Sequence, residues 1–256
     1  MRFLYVRAEQ IRRDEVELDA EQSHRLRRVL RKDLGDSLLI RVLDSGKALN
    51  TVISFLGKKR TVLSIESMPA KEEHSASDVL SLNLGVSLLK GRKLEHLFEK
   101  ITELGAASLT PLLARNCVQR QLKEREVERL IKISQQACQQ CGRALPPKLN
   151  ELEDVQSFVE ASIESSGRCI VLHERASREL NLFYEADLDK RAKTTVMIGP
   201  EGGFSPVEVD SFGRVGAEIL SLPGYILRAE TAAIAVTSLF SHLFSSPELH
   251  YRDLEG

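Results

Sequence analysis

The run Thr194-Thr195-Val196-Met197-Ile198-Gly199-Pro200-Glu201-Gly202-Gly203-Phe204-Ser205-Pro206-Val207-Glu208 joins a strand, a glycine-rich turn and a helix start. Residues 194–198 are β-branched or apolar and too few for a helix, so they read as a buried strand. Ser205 is placed to cap a helix, Pro206 to take its first turn and Glu208 to reach back to the cap. Between the two, Gly199, Gly202 and Gly203 let main-chain groups approach a ligand that bulky side chains would keep away. The turn has neither the Lys-Ser/Thr of a P-loop nor the spacing of G-x-G-x-x-G, so a nucleotide phosphate is not the obvious guest.

Working outward, the same alternation repeats. Residues 82–88, 109–113, 169–172 and 218–222 read as further strands, separated by longer helical segments, which is the pattern of an α/β domain. Leu94, Leu97, Phe98, Ile101 and Leu104 line one helix face, with Gly105 placed to end it. A later helix carries Val127, Leu130, Ile131 and Cys138 on one face. Pro223-Gly224 follows the 218–222 strand, so a second glycine-bearing loop leads through Ile226-Leu227-Arg228 into the final helix, about residues 230–244. Two such loops at one sheet edge make a pocket for a flat, uncharged group such as adenine. His173 ends a third strand and can stand at that edge. The final helix is apolar nearly all round and must be covered, by its own domain or by another subunit.

The first part of the chain is different. Residues 38–43, 49–55 and 61–65 are short β-rich runs parted by Asp44-Ser45-Gly46 and Gly57-Lys58-Lys59, which are hairpin signals. They read as a small antiparallel sheet or barrel. Ahead of them, Leu26, Val29 and Leu30 fall on one side of a helical segment. Arg25, Arg27, Arg28, Arg31 and Lys32 supply cations across the rest, suited to phosphate oxygens or to a solvated face. The polar stretch 69–78 marks a break. The boundaries read as 1–70 for the β-rich domain, 71–78 for a linker, 79–246 for the α/β domain and 247–256 for a tail.

Composition narrows the class. With 36 Lys+Arg against 37 Asp+Glu the formal charge is −1, so a polyanion must be held by a local patch. A 42% hydrophobic and 29% charged chain of 256 residues can bury a core, which excludes disorder and collagen-like architecture. The apolar stretch 232–240 is far short of the roughly 20 residues that cross a bilayer. The N-terminus lacks a signal-peptide pattern, so no membrane association is expected and the cytoplasm is the default. Four cysteines fit a reducing compartment, and Cys138-Gln-Gln-Cys141 has no second pair to complete a zinc site. No metal cluster and no G-x-S-x-G elbow is present.

At this point the residues resemble a family. Residues 198–205 followed by Leu222-Pro-Gly-Tyr-Ile-Leu-Arg-Ala-Glu-Thr-Ala232 are similar to the knot-forming signature of the bacterial 16S ribosomal RNA uridine-N3 methyltransferases, in the SPOUT superfamily. His24 with Arg28-Val29-Leu30-Arg31, Glu99-Lys-Ile-Thr-Glu-Leu-Gly105, Thr110-Pro111, Gln136-Ala-Cys-Gln-Gln-Cys-Gly-Arg143 and Leu172-His173-Glu-Arg-Ala-Ser177 match in the right order. One position departs: the family loop usually reads Gly-Pro-Arg-Ile-Leu-Arg, and here Tyr225 stands where its first Arg would.

The resemblance implies an N-terminal PUA-like β-barrel that grips RNA through His24, Arg25, Arg27, Arg28, Arg31 and Lys32. It implies a C-terminal α/β domain with a deep trefoil knot, dimerised near that knot. General chain-threading rules alone would give an unknotted doubly wound sheet. The implied cofactor is S-adenosylmethionine, held by Leu172, His173, Ile198, Gly199, Pro200, Gly203, Leu222, Gly224, Ile226, Leu227, Thr231 and Ala232. The implied partner is 16S ribosomal RNA within the assembled small subunit. Arg228 is the candidate to stabilise charge on the uracil oxygens, and Glu201 or Glu230 to assist proton departure or orient that arginine. Both carboxylates also suit a purely structural place at a helix N-terminus. The rival expectations are a non-catalytic ribosome-assembly protein and a SPOUT methyltransferase of another RNA site.

Overall fold

The structure is a computed structural model and describes residues 3–67, 80–166, 168–180 and 193–244. The linker 71–78 and the tail 247–256 lie outside the described residues. Contacts divide the described chain into two compact units. One takes residues 3–67 with 135–146, and the other takes 80–134 with the described residues from 147 onward.

The first unit is a curled, six-stranded sheet that fits a barrel-like domain. Its strands are β1 (Leu4–Val6), β2 (Ile11–Arg12), β3 (Glu15–Leu18), β4 (Ser37–Val42), β5 (Ala48–Leu56) and β6 (Thr61–Ser67), in the order β1-β4-β5-β6-β3-β2. The hairpins expected over 38–65 are present: β4, β5 and β6 pair antiparallel, while β1 lies parallel to β4. Gly46 takes a φ of +69° in the first turn, a conformation that glycine adopts without steric cost. Alternate residues close the core: Val16, Leu18, Ile40, Ile53 and Leu63 are buried. Residues 135–146 join this unit through Tyr5, whose hydroxyl donates to the Ala144 carbonyl at 2.8 Å, and through Cys138, packed with Phe3 and Tyr5. Burial pushes the Cys138 thiol up to about 12, so it stays protonated and unreactive at neutral pH.

The basic segment corrects one expectation. Asp19 caps a short helix, α1 (Ala20–His24), and the chain then continues as a π turn over Arg25–Val29, in which the Leu30 amide donates to the Arg25 carbonyl at 3.0 Å. Widening the turn breaks the 3.6-residue phase. Leu26 remains fully buried and Leu30 packs against the core, but Val29 turns outward and is 66% exposed.

The second unit is an all-parallel sheet flanked by helices. Its strands β7 (Leu82–Ser87), β8 (Ser108–Leu113), β9 (Lys148–Leu149), β10 (Glu153–Asp154), β11 (Cys169–Leu172), β12 (Thr194–Ile198) and β13 (Glu218–Leu220) run β10-β8-β7-β12-β11-β13, with β9 also on β8. Strand β12 lies between β7 and β11, so the chain passes outward to β11, returns inward to β12 and leaves again for β13. Helices α2 (Lys93–Glu103), α3 (Glu124–Cys141), α4 (Val155–Ser166), α5 (Pro206–Arg214) and α6 (Ala229–Phe244) connect or follow these strands. Strand β12 is buried throughout, as its sequence required. On α3 the expected face is only partly realised: Leu130 is buried, but Ile131 is 41% exposed. No helix among the described residues is long and apolar enough to cross a membrane.

Candidate functional site

The carboxyl ends of β11, β12 and β13 open onto one cavity of about 490 Å³. Such an edge, where neighbouring strands reverse their order, is where open α/β sheets bind ligands. Three loops build it. The turn after β12 contributes Ile198, Gly199, Pro200, Glu201, Gly202, Gly203 and Phe204; the loop after β13 contributes Leu222, Gly224, Tyr225, Ile226, Leu227 and Arg228; β11 ends in Leu172, His173 and Glu174. Ala229 and Ala232 of α6 complete the lining. Of the residues singled out as cofactor ligands, only Thr231 is not part of this lining; it is exposed on α6.

Local chemistry fixes the first loop. Ser205 and Glu208 form the expected capping box, with the Ser205 hydroxyl accepting from the Glu208 amide and the Glu208 carboxylate accepting from the Ser205 amide at 2.7 Å. Phe204 is buried edge-on against Phe212, with ring centroids 5.2 Å apart. A Cβ on Gly199 would meet that phenyl ring and the Phe204 amide at 3.2 Å, which explains the glycine there. Asn116 pins the turn from outside, its side-chain amide donating to the carbonyls of Gly202 at 3.2 Å and Gly203 at 3.0 Å. Gly203 and Gly224 hold φ of +68° and +95°, and both have open space where a Cβ would stand. The main chain is therefore bared to the cavity at these two points.

Electrostatics concentrate on one flank. Lys93, at the start of α2, donates to Glu201 Oε1 at 2.9 Å and lies 3.7 Å from Glu230 Oε1. Burial pulls the Glu201 carboxyl upward, but the Lys93 hydrogen bond, the amides of Glu201 and Lys90 and the Lys93 charge outweigh it and hold the group below the ordinary glutamate range. Arg228 lines the cavity, whereas Glu230 does not and reaches the site only through Lys93. His173 is engaged locally: its amide donates to Leu220 and its Nδ1 accepts from the Arg175 amide at 3.3 Å. Neither Lys93 nor Asn116 was foreseen. The basic run Lys90-Gly91-Arg92-Lys93 directly after a strand is the signal that could have found the lysine; nothing local marks the asparagine.

A second cavity, of about 320 Å³, lies in the first unit and is lined by Arg27, Arg28, Arg31, Lys32, Asp33 and Leu56. His24 and Arg25 are not part of that lining. Arg31 holds a φ of +51°, the left-handed conformation, directly after the π turn. Among the described residues no group of three or more His, Cys, Asp or Glu is placed to hold a metal.

Comparison with known proteins decides the family. A model described as an RNA methyltransferase domain matches residues 76–241. The ribosomal RNA small subunit methyltransferase E of Mesomycoplasma hyopneumoniae is 30% identical over 66% of this chain and 71% of its own length. The chain belongs to this family of RNA methyltransferases. The Bacillus subtilis protein of the same name is 27% identical over 88% of this chain and 89% of its own. A Legionella pneumophila methyltransferase solved with the cofactor S-adenosylmethionine superposes with a TM-score of 0.79 at 27% identity, covering 94% of this chain and 97% of its own. The family match spans the cavity loops and α6 to Ser241, so the glycine turn and the Arg228 loop sit inside the shared domain.

Proposed function

We propose that this chain transfers a methyl group from S-adenosylmethionine to N3 of a uridine in 16S ribosomal RNA. The observation that carries the reading is the cavity at the ends of β11, β12 and β13, with Arg228 on its wall and a lysine-bridged pair of carboxylates beside it. Its volume of about 490 Å³ falls within the roughly 300–1,000 Å³ usual for small-ligand sites. The residues present fit the cofactor. Leu172, Ile198, Leu222 and Leu227 supply apolar walls for an adenine face, and the bared main chain at Gly203 and Gly224 lets backbone groups of Leu172, Ile198, Gly199, Leu222 and Leu227 hold adenine and ribose. The small-subunit name carried by the relatives supports the RNA substrate.

When bound, S-adenosylmethionine would supply a methyl group already activated on a sulfonium, whose sulfur would keep the electron pair of the S–C bond. The chain has to bring uridine N3 into line and accept its proton. Arg228 stabilises the negative charge that develops on the uracil oxygens as that proton departs. Glu201 or Glu230 receives the proton or orients Arg228. The cavity lined by Arg27, Arg28, Arg31 and Lys32 holds RNA phosphates, with guanidinium forks matched to their oxygens. A homodimer is supported by α6, where Ile234 and Leu239 are only partly buried. The trefoil knot belongs to the same reading and is supported by the placement of β12 between β7 and β11. The same reading includes action on the assembled small subunit, in the cytoplasm.

The test is nucleoside mass analysis of ribosomal RNA from cells lacking this chain: 3-methyluridine disappears and returns with the gene. Loss of a different methylated nucleoside would redirect the activity to another RNA site. An absence of heat on calorimetric titration with S-adenosylmethionine would leave a non-catalytic assembly protein.

A further inference from the structure

Large apolar side chains that meet solvent singly are ordinary, whereas neighbouring ones mark a contact. Among the described residues most exposed large hydrophobics stand apart in the sequence, as Val29 and Val118 do, and only Tyr225, Ile226 and Leu227 follow one another, at 93%, 80% and 38% exposure. All three line the cavity at the ends of β11, β12 and β13, and Arg228 continues the same wall. Gly224, at a φ of +95°, bends the chain just ahead of them. No carboxylate lies between Leu222 and Ala229. The acids elsewhere in the lining each have a cation close by, Lys93 Nζ at 2.9 Å from Glu201 and Arg175 Nε at 4.0 Å from Glu174. Tyr225 is also the only exposed aromatic ring among the described side chains of the second unit, where Phe98, Phe158, Phe204, Phe212 and Phe240 are all buried.

We propose that Tyr225 is a substrate-contact residue whose ring stacks on the face of the target uracil after that base has left its own stack, holding it beside Arg228. This deepens the uridine-N3 reading above and rests on it. A base that enters a protein cavity gives up its stacked neighbours, and a protein ring that replaces one of them lowers the cost of the exit. An aromatic face next to a guanidinium, with the nearby carboxylates countered, is the makeup of surfaces that receive unpaired bases. The ring is open to solvent, so stacking on it disturbs no packed core. Scale also favours a base over a second protein copy: three side chains on one loop match the face of a single base, whereas a stable protein interface takes about 20–30 residues a side. Stacking accepts any flat base, so Tyr225 supplies hold and orientation, and Arg228 answers to the uracil oxygens.

Small ribosomal subunits from cells lacking the chain are methylated by the full-length parent, Tyr225→Phe, Tyr225→Leu and Tyr225→Ala, and the product is scored as methylated nucleoside. Calorimetric affinity for S-adenosylmethionine and the sedimentation mass are measured on each. Tyr225→Ala is expected to lose about tenfold to 100-fold in kcat/KM, the scale of one base–aromatic stack. Tyr225→Phe keeps the ring and most of the rate; Tyr225→Leu keeps apolar bulk without a flat π face and falls close to the alanine variant. Cofactor affinity and mass stay at the parental values throughout. Independently of turnover, small-subunit RNA carrying 4-thiouridine in place of uridine, irradiated with the parent chain and S-adenosylhomocysteine, should leave an adduct on Tyr225 in the mass spectrum of the digest. A leucine variant as active as the phenylalanine one, an alanine variant at the parental rate, or adducts that all lie elsewhere overturns the stacking role. So does a cofactor affinity that falls with the rate, which makes the ring a cofactor wall, or a changed mass, which makes it a contact between copies. A parent enzyme that makes some other methylated nucleoside overturns the uridine-N3 reading instead, while the contrast between Phe and Leu, read on that nucleoside, still decides whether the ring stacks on the methylated base.

Discussion

The glycine-loop cavity of the second unit and the arginine pocket of the first both lie where regular structure breaks, but they break it by opposite means. At the cavity, glycines take the unusual backbone angles, and Asn116, Phe212 and the Ser205–Glu208 box fasten the turn from several sides. At the pocket, an arginine takes the unusual angle after a π turn, and no ion pair engages Arg27, Arg28 or Arg31 among the described residues. The first arrangement fixes a shape before any ligand arrives. The second leaves cations free to meet a polyanion and stores some strain to gather them. Shape selection of this kind should be insensitive to salt and sensitive to single atoms, whereas charge collection should be the reverse.

The largest effect falls on the cavity. Arg228→Ala is expected to lower kcat about 100- to 1,000-fold at saturating RNA, the scale for removing one preorganised donor to a developing oxyanion. Its RNA affinity should change little by comparison. A variant that methylates at the parental rate would remove Arg228 from the chemistry and leave it as wall.

Asn116→Ala is the next test of the fixed-shape idea. It deletes two hydrogen bonds to the Gly202 and Gly203 carbonyls. At about 1 kcal/mol each, their loss should weaken S-adenosylmethionine binding by up to about 30-fold, measured by calorimetry at both low and high salt. The same loss at both salt concentrations supports a shape effect; a loss that vanishes at high salt would assign Asn116 an electrostatic role.

What the sequence disclosed follows from the range of the forces involved. Strand β12, its glycine turn and the Ser205–Glu208 box are written within a few neighbouring residues, and each was legible. So were the hairpins between Ser37 and Ser67, because their turns carry glycine. The pairings of Lys93 and Asn116 were not legible, since their partners Glu201 and Gly203 lie far along the chain and only the sheet brings them near. The exposure of Val29 was hidden for a different reason: one backbone bond from Leu30 to Arg25 in place of the usual partner shifts the whole phase, and composition does not announce it. The excursion 135–146 falls in the same class, tied to its unit by the distant Tyr5. Strands β2, β9 and β10, of two residues each, are too short to show a period.

At the arginine pocket the expected effects are smaller and depend on salt. Replacing Arg28 and Arg31 together by alanine should weaken RNA binding several-fold at low salt. Filter binding across a salt series should find the slope of log affinity against log salt flattened by about 1.4 to 1.8, the contribution of two phosphate contacts. An unchanged slope would return these side chains to a solvated face.

The smallest effect separates charge from strain at one residue. Arg31 at a φ of +51° carries the steric cost of a left-handed side-chain-bearing residue, roughly 1–2 kcal/mol. Arg31→Gly removes both the cation and that cost, although the freer unfolded chain takes back about 0.4–1 kcal/mol. Arg31→Ala removes the cation alone and keeps the strain. The two variants should therefore lose RNA affinity equally, while urea unfolding finds Arg31→Gly about 0.5–1 kcal/mol more stable than Arg31→Ala. If the glycine variant is no more stable, the left-handed turn is not strained and the pocket is simply a bend that arginine tolerates. If the two differ in RNA affinity instead, the backbone angle itself, through the direction in which it sends the chain from Lys32 to Asp33, helps to shape the phosphate site.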